Sequence, residues 1–199
     1  MASAAEITLS NERNPMKATT YGVGEIIEDA LSRGCRDFIV GIGGSATNDG
    51  GVGMLRALGF EFLDENGEDV GNGDQALGRI AQIETKKKNP LLAESFFKVA
   101  CDVTNPLCGE NGATFVFGPQ KGVTEEQKVP IDGAMKHYAA ITEQTLACDC
   151  VNAKGSGAAG GIDAFFPIVR GVTTIEEAMN TENAKNNMRM TVEQVFRLM

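Results

Sequence analysis

Short polar side chains and glycines follow a brief apolar run early in the 199-residue chain. Residues 38–42 read FIVGI, residues 43–51 read GGSATNDGG, and an apolar pattern resumes at residues 54–58. A loop between a strand and a helix can present backbone N–H groups and the positive end of a helix dipole to an anion. Asp49 adds a carboxylate that could hold Mg²⁺ or accept a proton from a hydroxyl group. The segment therefore predicts an anion-binding loop, with phosphate as the favoured ligand.

Two other interpretations of this loop stay open at the level of sequence. The loop could be a tight turn in which Asn48 or Asp49 caps the following helix. The spacing of residues 41–46 also loosely matches a dinucleotide fingerprint, with Glu61 about 20 residues further on as the ribose acid, which would indicate NAD binding. A Walker A loop is excluded, because no Gly-Lys-Ser/Thr follows at the required spacing.

The segments on either side of the loop predict an α/β fold. Apolar residues at helical spacing from Val23 indicate an amphipathic helix that ends near Gly34 and packs one face on a sheet. Residues 37–42 predict a buried strand, and residues 95–101 predict a second strand. The order of helix, strand, glycine loop and helix is typical of parallel pairing. We expect a parallel or mixed sheet with flanking helices.

Later segments give weaker signals. Residues 60–70 predict a small hairpin, whereas residues 79–95 give no clear assignment. Residues 124–127 read TEEQ, a capping box that predicts a helix start, with the helical pattern resuming after Pro130. His137 lies within that helical pattern, and we expect a surface residue there rather than a catalytic base.

Composition favours a small-molecule partner. The net charge of −9 argues against nucleic-acid binding, which requires an excess of Lys and Arg. No apolar run approaches the roughly 20 residues that cross a bilayer, and the first residues lack a signal-peptide pattern, so we expect a cytoplasmic protein without a membrane partner. The five cysteines are an odd number without a CxxC pair, which indicates reduced thiols.

Residues 41–51, GIGGSATNDGG, closely resemble the signature of the bacterial glycerate kinases, which transfer the γ-phosphoryl group of ATP to D-glycerate. Blocks at residues 15–27, 99–122 and 155–161 resemble the same family in the same order. The resemblance implies ATP and Mg²⁺ as cofactors and glycerate as substrate. It also implies the middle domain of the two-domain glycerate kinase fold. Family members of this type are mostly described as 2-kinases, but the phosphorylated carbon is not readable from these residues.

The resemblance also implies which residues form the site. Asp49, Asp102 and Lys121 would be the catalytic groups, with either aspartate as the base or the Mg²⁺ ligand. The residues that would bind substrate and phosphate are Gly43, Gly44, Ser45, Thr47, Asn48, Thr104, Asn105, Gln120, Gly157, Gly160 and Gly161. Two alternatives stay open: Asn105 only sets a turn, and Lys121 is only a surface cation.

The sequence departs from the family pattern in two places. An Asp-Ser-x-Lys-Glu-Ser block and a Thr-Gly-Glu-Gly-Arg-Ile-Asp motif are missing, and residues 162–170 resemble the family's last strand. We therefore expect residues 1–161 to form the glycine-loop domain and residues 162–199 to be a C-terminal strand and helices of the nucleotide-fold domain. The alternative function is a non-catalytic remnant that binds an anion or associates with itself as a homo-oligomer.

Overall fold

Helices and short strands alternate along the chain in the computed structural model, which describes residues 13–100, 103–147 and 155–162. The α-helices and strands, in chain order, are α1 Tyr21–Ser32, β1 Asp37–Gly41, α2 Val52–Ala57, β2 Glu61–Leu63, α3 Asp74–Leu77, β3 Gln82–Glu84, β4 Phe96–Ala100 and α4 Glu125–Leu146. Shorter helical turns are Pro90–Glu94, Ala113–Phe117, Pro119–Lys121 and Ala158–Gly160. The α/β class predicted from sequence is confirmed. The predicted C-terminal strand and helices of residues 162–199 lie, apart from Ile162, outside the described residues.

Strands β1 and β4 pair in parallel, with Asp37 opposite Phe96 at one end of the register. Their inner face packs into the core, where Phe38 stacks on the buried Phe97 with ring centroids 4.6 Å apart. On the outer face, Ile39 and Phe96 are each 55% exposed. The prediction of a buried strand over residues 37–42 is therefore wrong for the described residues, because they cover only one side of this two-stranded sheet.

A second sheet joins β2 to β3 in antiparallel register, with Phe62 opposite Ile83. The hairpin predicted over residues 60–70 contributes only one bridge, between Leu63 and Asp69. The main partner of β2 comes instead from the region that had no clear assignment. Strands of three residues contain too few side chains to show a two-residue periodicity.

Helix α1 packs closely on α2 through a glycine. A Cβ atom at Gly24 would lie 2.4 Å from the carbonyl oxygen of Met54. Ile27 and Leu31 of α1 are buried, whereas Ile26, which the periodicity also assigned to the inner face, is 54% exposed. The helix ends at Ser32, close to the predicted Gly34, which has a φ of 92°.

Helix α4 packs on the core through buried side chains that include Met135 and Tyr138. The N–H of Thr124 donates to Gln127 Oε1 over 3.0 Å, as the capping box predicts. The helix is continuous through Pro130, where the pattern predicted a restart. Proline removes one backbone hydrogen bond near the helix start, and buried side chains such as Tyr138 keep the helix on the core. His137 is exposed, as expected.

No helix in the described part of the chain is long and apolar enough to span a membrane.

The contact between α1 and α2 predicts opposite effects for two glycines of the same helix. Gly24→Ala should lower the free energy of unfolding by about 1–3 kcal/mol, because its methyl group meets the α2 backbone. Gly22→Ala should raise it by up to about 1 kcal/mol, since its nearest atom, Glu25 Oε2, is 4.0 Å away and alanine favours helices. Urea denaturation of both variants checks this. Equal stabilities would contradict the close packing of α1 on α2.

Candidate functional site

A cavity of about 210 Å³ lies where four parts of the chain meet. Its lining residues come from the glycine loop, from Val103 after β4, from the segment that includes Gln120 and Lys121, and from a second glycine loop at residues 155–161. They are Ile42, Gly43, Gly44, Ser45, Val103, Phe117, Gln120, Lys121, Ala158 and Ala159. The structure therefore brings together segments that the sequence analysis assigned to one site from separate motifs.

The two glycine loops are joined directly by hydrogen bonds. The N–H of Gly50 donates to the carbonyl oxygen of Gly160 over 3.0 Å, and Ser45 Oγ donates to the carbonyl oxygen of Ala159 over 3.2 Å. A Cβ atom at Gly160 would lie 2.2 Å from the carbonyl oxygen of Thr47. Glycine at position 160 is needed for this contact, so the loops form one wall of the cavity.

The glycines of the second loop approach protein atoms, which differs from the expectation that they contact phosphate. A Cβ atom at Gly157 would lie 2.2 Å from the carbonyl oxygen of Pro106, and one at Gly161 would lie 2.8 Å from Leu107 Cδ1. Gly157, Gly160 and Gly161 also do not line the cavity. Their function in the structure is to let neighbouring segments pack closely.

Gly43 and Gly44 line the cavity. At position 43, unlike in the second loop, close packing does not require glycine. No heavy atom lies within 4 Å of a Cβ placed on Gly43, and its φ is outside the left-handed region. Gly44 has a φ of 61°, which favours glycine. Among the described residues, no acceptor contacts the N–H groups of Gly43, Gly44 and Ala46. These N–H groups are the donors that a bound anion would use.

Lys121 forms the floor of the cavity. Its side chain is 1% exposed, and Nζ donates to the carbonyl oxygen of Thr47 over 2.7 Å. Burial lowers the pKa of Lys121 to about 8, although the carboxylates of Asp49 and Asp74 act in the opposite direction. The alternative of a surface cation is therefore wrong, and the ammonium group is cationic at neutral pH.

Asp49 lies behind the loop, with its carboxylate completely buried. Its Oδ2 accepts from the N–H of Thr20 at 2.8 Å, from Thr20 Oγ1 at 3.1 Å and from the N–H of Gly53 at 3.3 Å, while Oδ1 accepts from the N–H of Gly51 at 3.2 Å. Burial raises the pKa of Asp49, and these hydrogen bonds oppose the shift. Asp49 therefore does not face the cavity as a Mg²⁺ ligand or base would, because its carboxylate binds donors at the starts of α1 and α2.

Asn48 also points inward, away from the cavity where it was expected to bind phosphate. Its Nδ2 donates to Asp74 Oδ2 over 3.2 Å and to Thr114 Oγ1 over 3.1 Å. All three residues are buried. Burial raises the pKa of Asp74 to about 7. The sequence analysis missed Asp74 and Thr114, since no local pattern relates residues that lie 26 and 66 positions from Asn48.

The remaining predicted residues divide between the loops and the periphery. Thr47 Oγ1 lies 3.1 Å from Ser45 Oγ within the first loop. Asn105 Nδ2 donates to the carbonyl oxygen of Asn111 over 2.9 Å, which fits the turn-setting alternative, and the exposed Thr104 does not line the cavity. Asp102 lies outside the described residues.

Neither a metal cluster nor the NAD arrangement appears in the described part of the chain. No group of three or more His, Cys, Asp or Glu side chains there could hold a metal ion. Glu61, the ribose acid of the NAD alternative, pairs with Lys87 at 2.8 Å and does not line the cavity.

A second cavity of about 280 Å³ lies beside α4 and contains none of the predicted site residues. Its lining residues are Gly109, Glu110, Phe115, Val129, Asp132, Gly133 and Lys136. Of these two cavities, only the first is lined by predicted site residues, which are Gly43, Gly44, Ser45, Gln120 and Lys121.

Comparisons with known proteins agree on one family. The family model described as "Glycerate kinase family" matches residues 1–164. A glycerate kinase of Haemophilus influenzae is 47% identical over 161 residues, covering 81% of this chain and 43% of the relative. The glycerate 2-kinase of Escherichia coli is 41% identical over 187 residues, covering 91% of this chain and 49% of the relative. A crystal structure described as glycerate kinase 2 from Salmonella typhimurium LT2 matches with a TM-score of 0.85 at 41% identity, covering 89% and 49%. The chain thus spans about half the length of the relatives it matches.

The buried carboxylate behind the loop predicts a large loss of stability for Asp49→Asn. Asparagine keeps one acceptor oxygen and turns an NH₂ group toward backbone donors, so we expect the free energy of unfolding to fall by about 2–4 kcal/mol. Asp29→Asn is the control, because Asp29 pairs with Arg33 on the exposed surface of α1 and should change stability by less than about 0.5 kcal/mol. Denaturant titration compares the two. A stable Asp49→Asn protein would contradict the structural function of Asp49.

Proposed function

The chain belongs to the glycerate kinase family, and from that premise we propose that its first cavity binds phosphate in the ATP-dependent phosphorylation of D-glycerate to phosphoglycerate. One observation carries this proposal: Gly43 and Gly44, whose N–H groups contact no acceptor among the described residues, line the same cavity as the buried ammonium group of Lys121. Backbone donors and a desolvated cation are what a phosphoryl group requires.

Phosphoryl transfer depends mainly on positioning and on stabilising charge around the transferred group. We assign the N–H groups of Gly43, Gly44 and Ala46 to the phosphate oxygens, with the exposed Gln120 side chain as a further donor at the cavity rim. Lys121 would neutralise negative charge from below. Its burial increases the effect, because a charge acts more strongly where water is excluded.

The size of the cavity limits what it can hold. A volume of about 210 Å³ is smaller than the roughly 300–1,000 Å³ of typical ligand pockets. It suits a phosphoryl group and a three-carbon acid such as glycerate. The nucleoside part of ATP would therefore bind outside this cavity.

A magnesium ion would supply positive charge in such a reaction, but the described residues do not fit a metal site. No carboxylate among them lines the cavity, and the oxygens of Asp49 are occupied by hydrogen-bond donors. We therefore assign no step to the metal. Of the two aspartates that the family resemblance implies, Asp102 is the one that we propose as the base or as a Mg²⁺ ligand.

A second candidate function is anion binding without turnover. The observation that favours it is the lack of a carboxylate in the cavity lining among the described residues. Both candidates predict that phosphate-like anions bind to the loop, and only the first predicts a glycerate-dependent reaction.

The open space at Gly43 provides the test. Gly43→Ala should leave the melting temperature nearly unchanged, because its Cβ meets no protein atom. The same change should weaken pyrophosphate binding and glycerate-dependent ADP formation at least about tenfold, which corresponds to the loss of about 1.4 kcal/mol of binding free energy. Calorimetry with pyrophosphate and a coupled assay for ADP measure the two effects.

Gly133→Ala is the matched control, because a Cβ there also meets open space but lies in the second cavity. This variant should bind and react like the wild type. Pyrophosphate binding without ADP formation would favour the non-catalytic candidate. If pyrophosphate does not bind, or if both variants bind equally well, the glycine loop is not the anion site.

A further inference from the structure

A buried polar group lies beneath the cavity and connects three segments that are distant in sequence. Asn48 in the glycine loop, Asp74 at the start of α3 and Thr114 in the Ala113–Phe117 turn are joined by the two hydrogen bonds of the Asn48 amide. Asp74 is 2% exposed, and the other two residues are completely buried. This group includes a carboxylate that the proposed phosphate chemistry does not use.

Asp74 is held in place from its backbone as well. Gly73 has a φ of 81°, and a Cβ there would lie 2.2 Å from the carbonyl oxygen of Met16. The N–H of Asp74 donates to the carbonyl oxygen of Pro15 over 3.4 Å. The position of the carboxylate is therefore set by the fold.

The charge of Asp74 is poorly satisfied by hydrogen bonds. Its Oδ2 accepts from Asn48, whereas its buried Oδ1 has no hydrogen-bond partner among the described residues. Asp49, by contrast, accepts four hydrogen bonds. An unsatisfied carboxylate in a low-dielectric interior exerts a stronger field on a nearby cation than one surrounded by donors.

The cation next to this buried group is Lys121, whose Nζ donates over 2.7 Å to the carbonyl oxygen of Thr47, the residue before Asn48. Asp74 and Asp49 both stabilise the protonated form of Lys121, and Lys121 in turn stabilises the ionised form of Asp74. From α4, which packs on α3, the buried phenol of Tyr138 has a pKa well above its usual range and adds no charge at neutral pH. Among the described residues, the charges that act on Lys121 are those of Asp49 and Asp74.

We propose that Asp74 is a positioning residue for the anion site: it keeps the ammonium group of Lys121 charged and, through the amide of Asn48, fixes the glycine loop above it. The proposal rests on the proposed function to the extent that an anion binds in the first cavity. Asp74 itself does not touch the anion.

The titration of these groups gives the direction of the pH effect. The pKa of Asp74 is raised to about 7 and that of Lys121 is lowered to about 8, so both are ionised mainly between these values. As the pH rises through about 8, Lys121 loses its proton and anion affinity falls. Without the carboxylate at position 74, Lys121 loses its proton at a lower pH.

Sulfate is a suitable probe, because its charge stays constant from about pH 6 to about pH 9.5, so any pH dependence of its affinity comes from the protein. We expect the alkaline loss of sulfate affinity to occur about one pH unit lower in Asp74→Asn than in the wild type. Asp74→Glu, which keeps the charge, should restore the wild-type profile. Thr114→Val removes the other partner of Asn48 without changing a charge, so the midpoint of its profile should not move.

Equal midpoints in Asp74→Asn and the wild type would overturn the proposal, and so would a shift in Thr114→Val of the same size. A measurement on the wild type covers the case in which Asp74→Asn does not fold or sulfate does not bind. The ¹³Cγ NMR signal of Asp74 and the ¹³Cε signal of Lys121, followed against pH without ligand, should each respond to the ionisation of the other group. Curves that each follow one independent ionisation would overturn the coupling, whereas coupled curves without sulfate binding would contradict only the proposed function.

Discussion

The carboxylate of Asp49 is the interaction on which the cavity depends. It binds the N–H and hydroxyl groups of Thr20 at the start of α1 and two N–H groups at the start of α2. Thr20 Oγ1 also accepts from the N–H of Met54 over 2.9 Å, which joins the two helix starts again. Because one buried side chain satisfies donors from both helices, the loop between β1 and α2 is fixed in a shape that exposes its glycines.

Single groups of the loop also contact the other walls of the cavity. The carbonyl oxygen of Thr47 accepts from Lys121 Nζ and lies against Gly160, so one backbone group positions both the cation and the second loop. Asn48, the next residue, connects the loop to α3. Residues 47–49 thus bind protein groups, while Gly43 and Gly44 line the cavity. This division separates the residues that shape the loop from those available to a ligand.

The sequence predicted the elements with strong periodicity and the segments that meet, but not the side on which each polar residue lies. Apolar spacing was sufficient for α1, and short β-rich runs were sufficient for β1 and β4. Strand β3 was missed, since three residues carry little pattern. Asp49 was expected to line the cavity. A polar residue in a loop has no periodic pattern that shows whether its side chain is buried or faces a ligand. Burial of Lys121 and the contact of Asp74 with Asn48 arise from tertiary packing, which no local pattern records.

The central claim is that backbone N–H groups of the glycine loop bind a phosphate-like anion above Lys121. An ¹H–¹⁵N NMR titration with pyrophosphate tests it most directly, because it reports on each backbone amide separately. The account predicts that the largest chemical-shift changes occur at Gly43, Gly44 and Ala46 and saturate together. Changes confined to the second cavity around Gly133, or unchanged amides in residues 43–46, would contradict it.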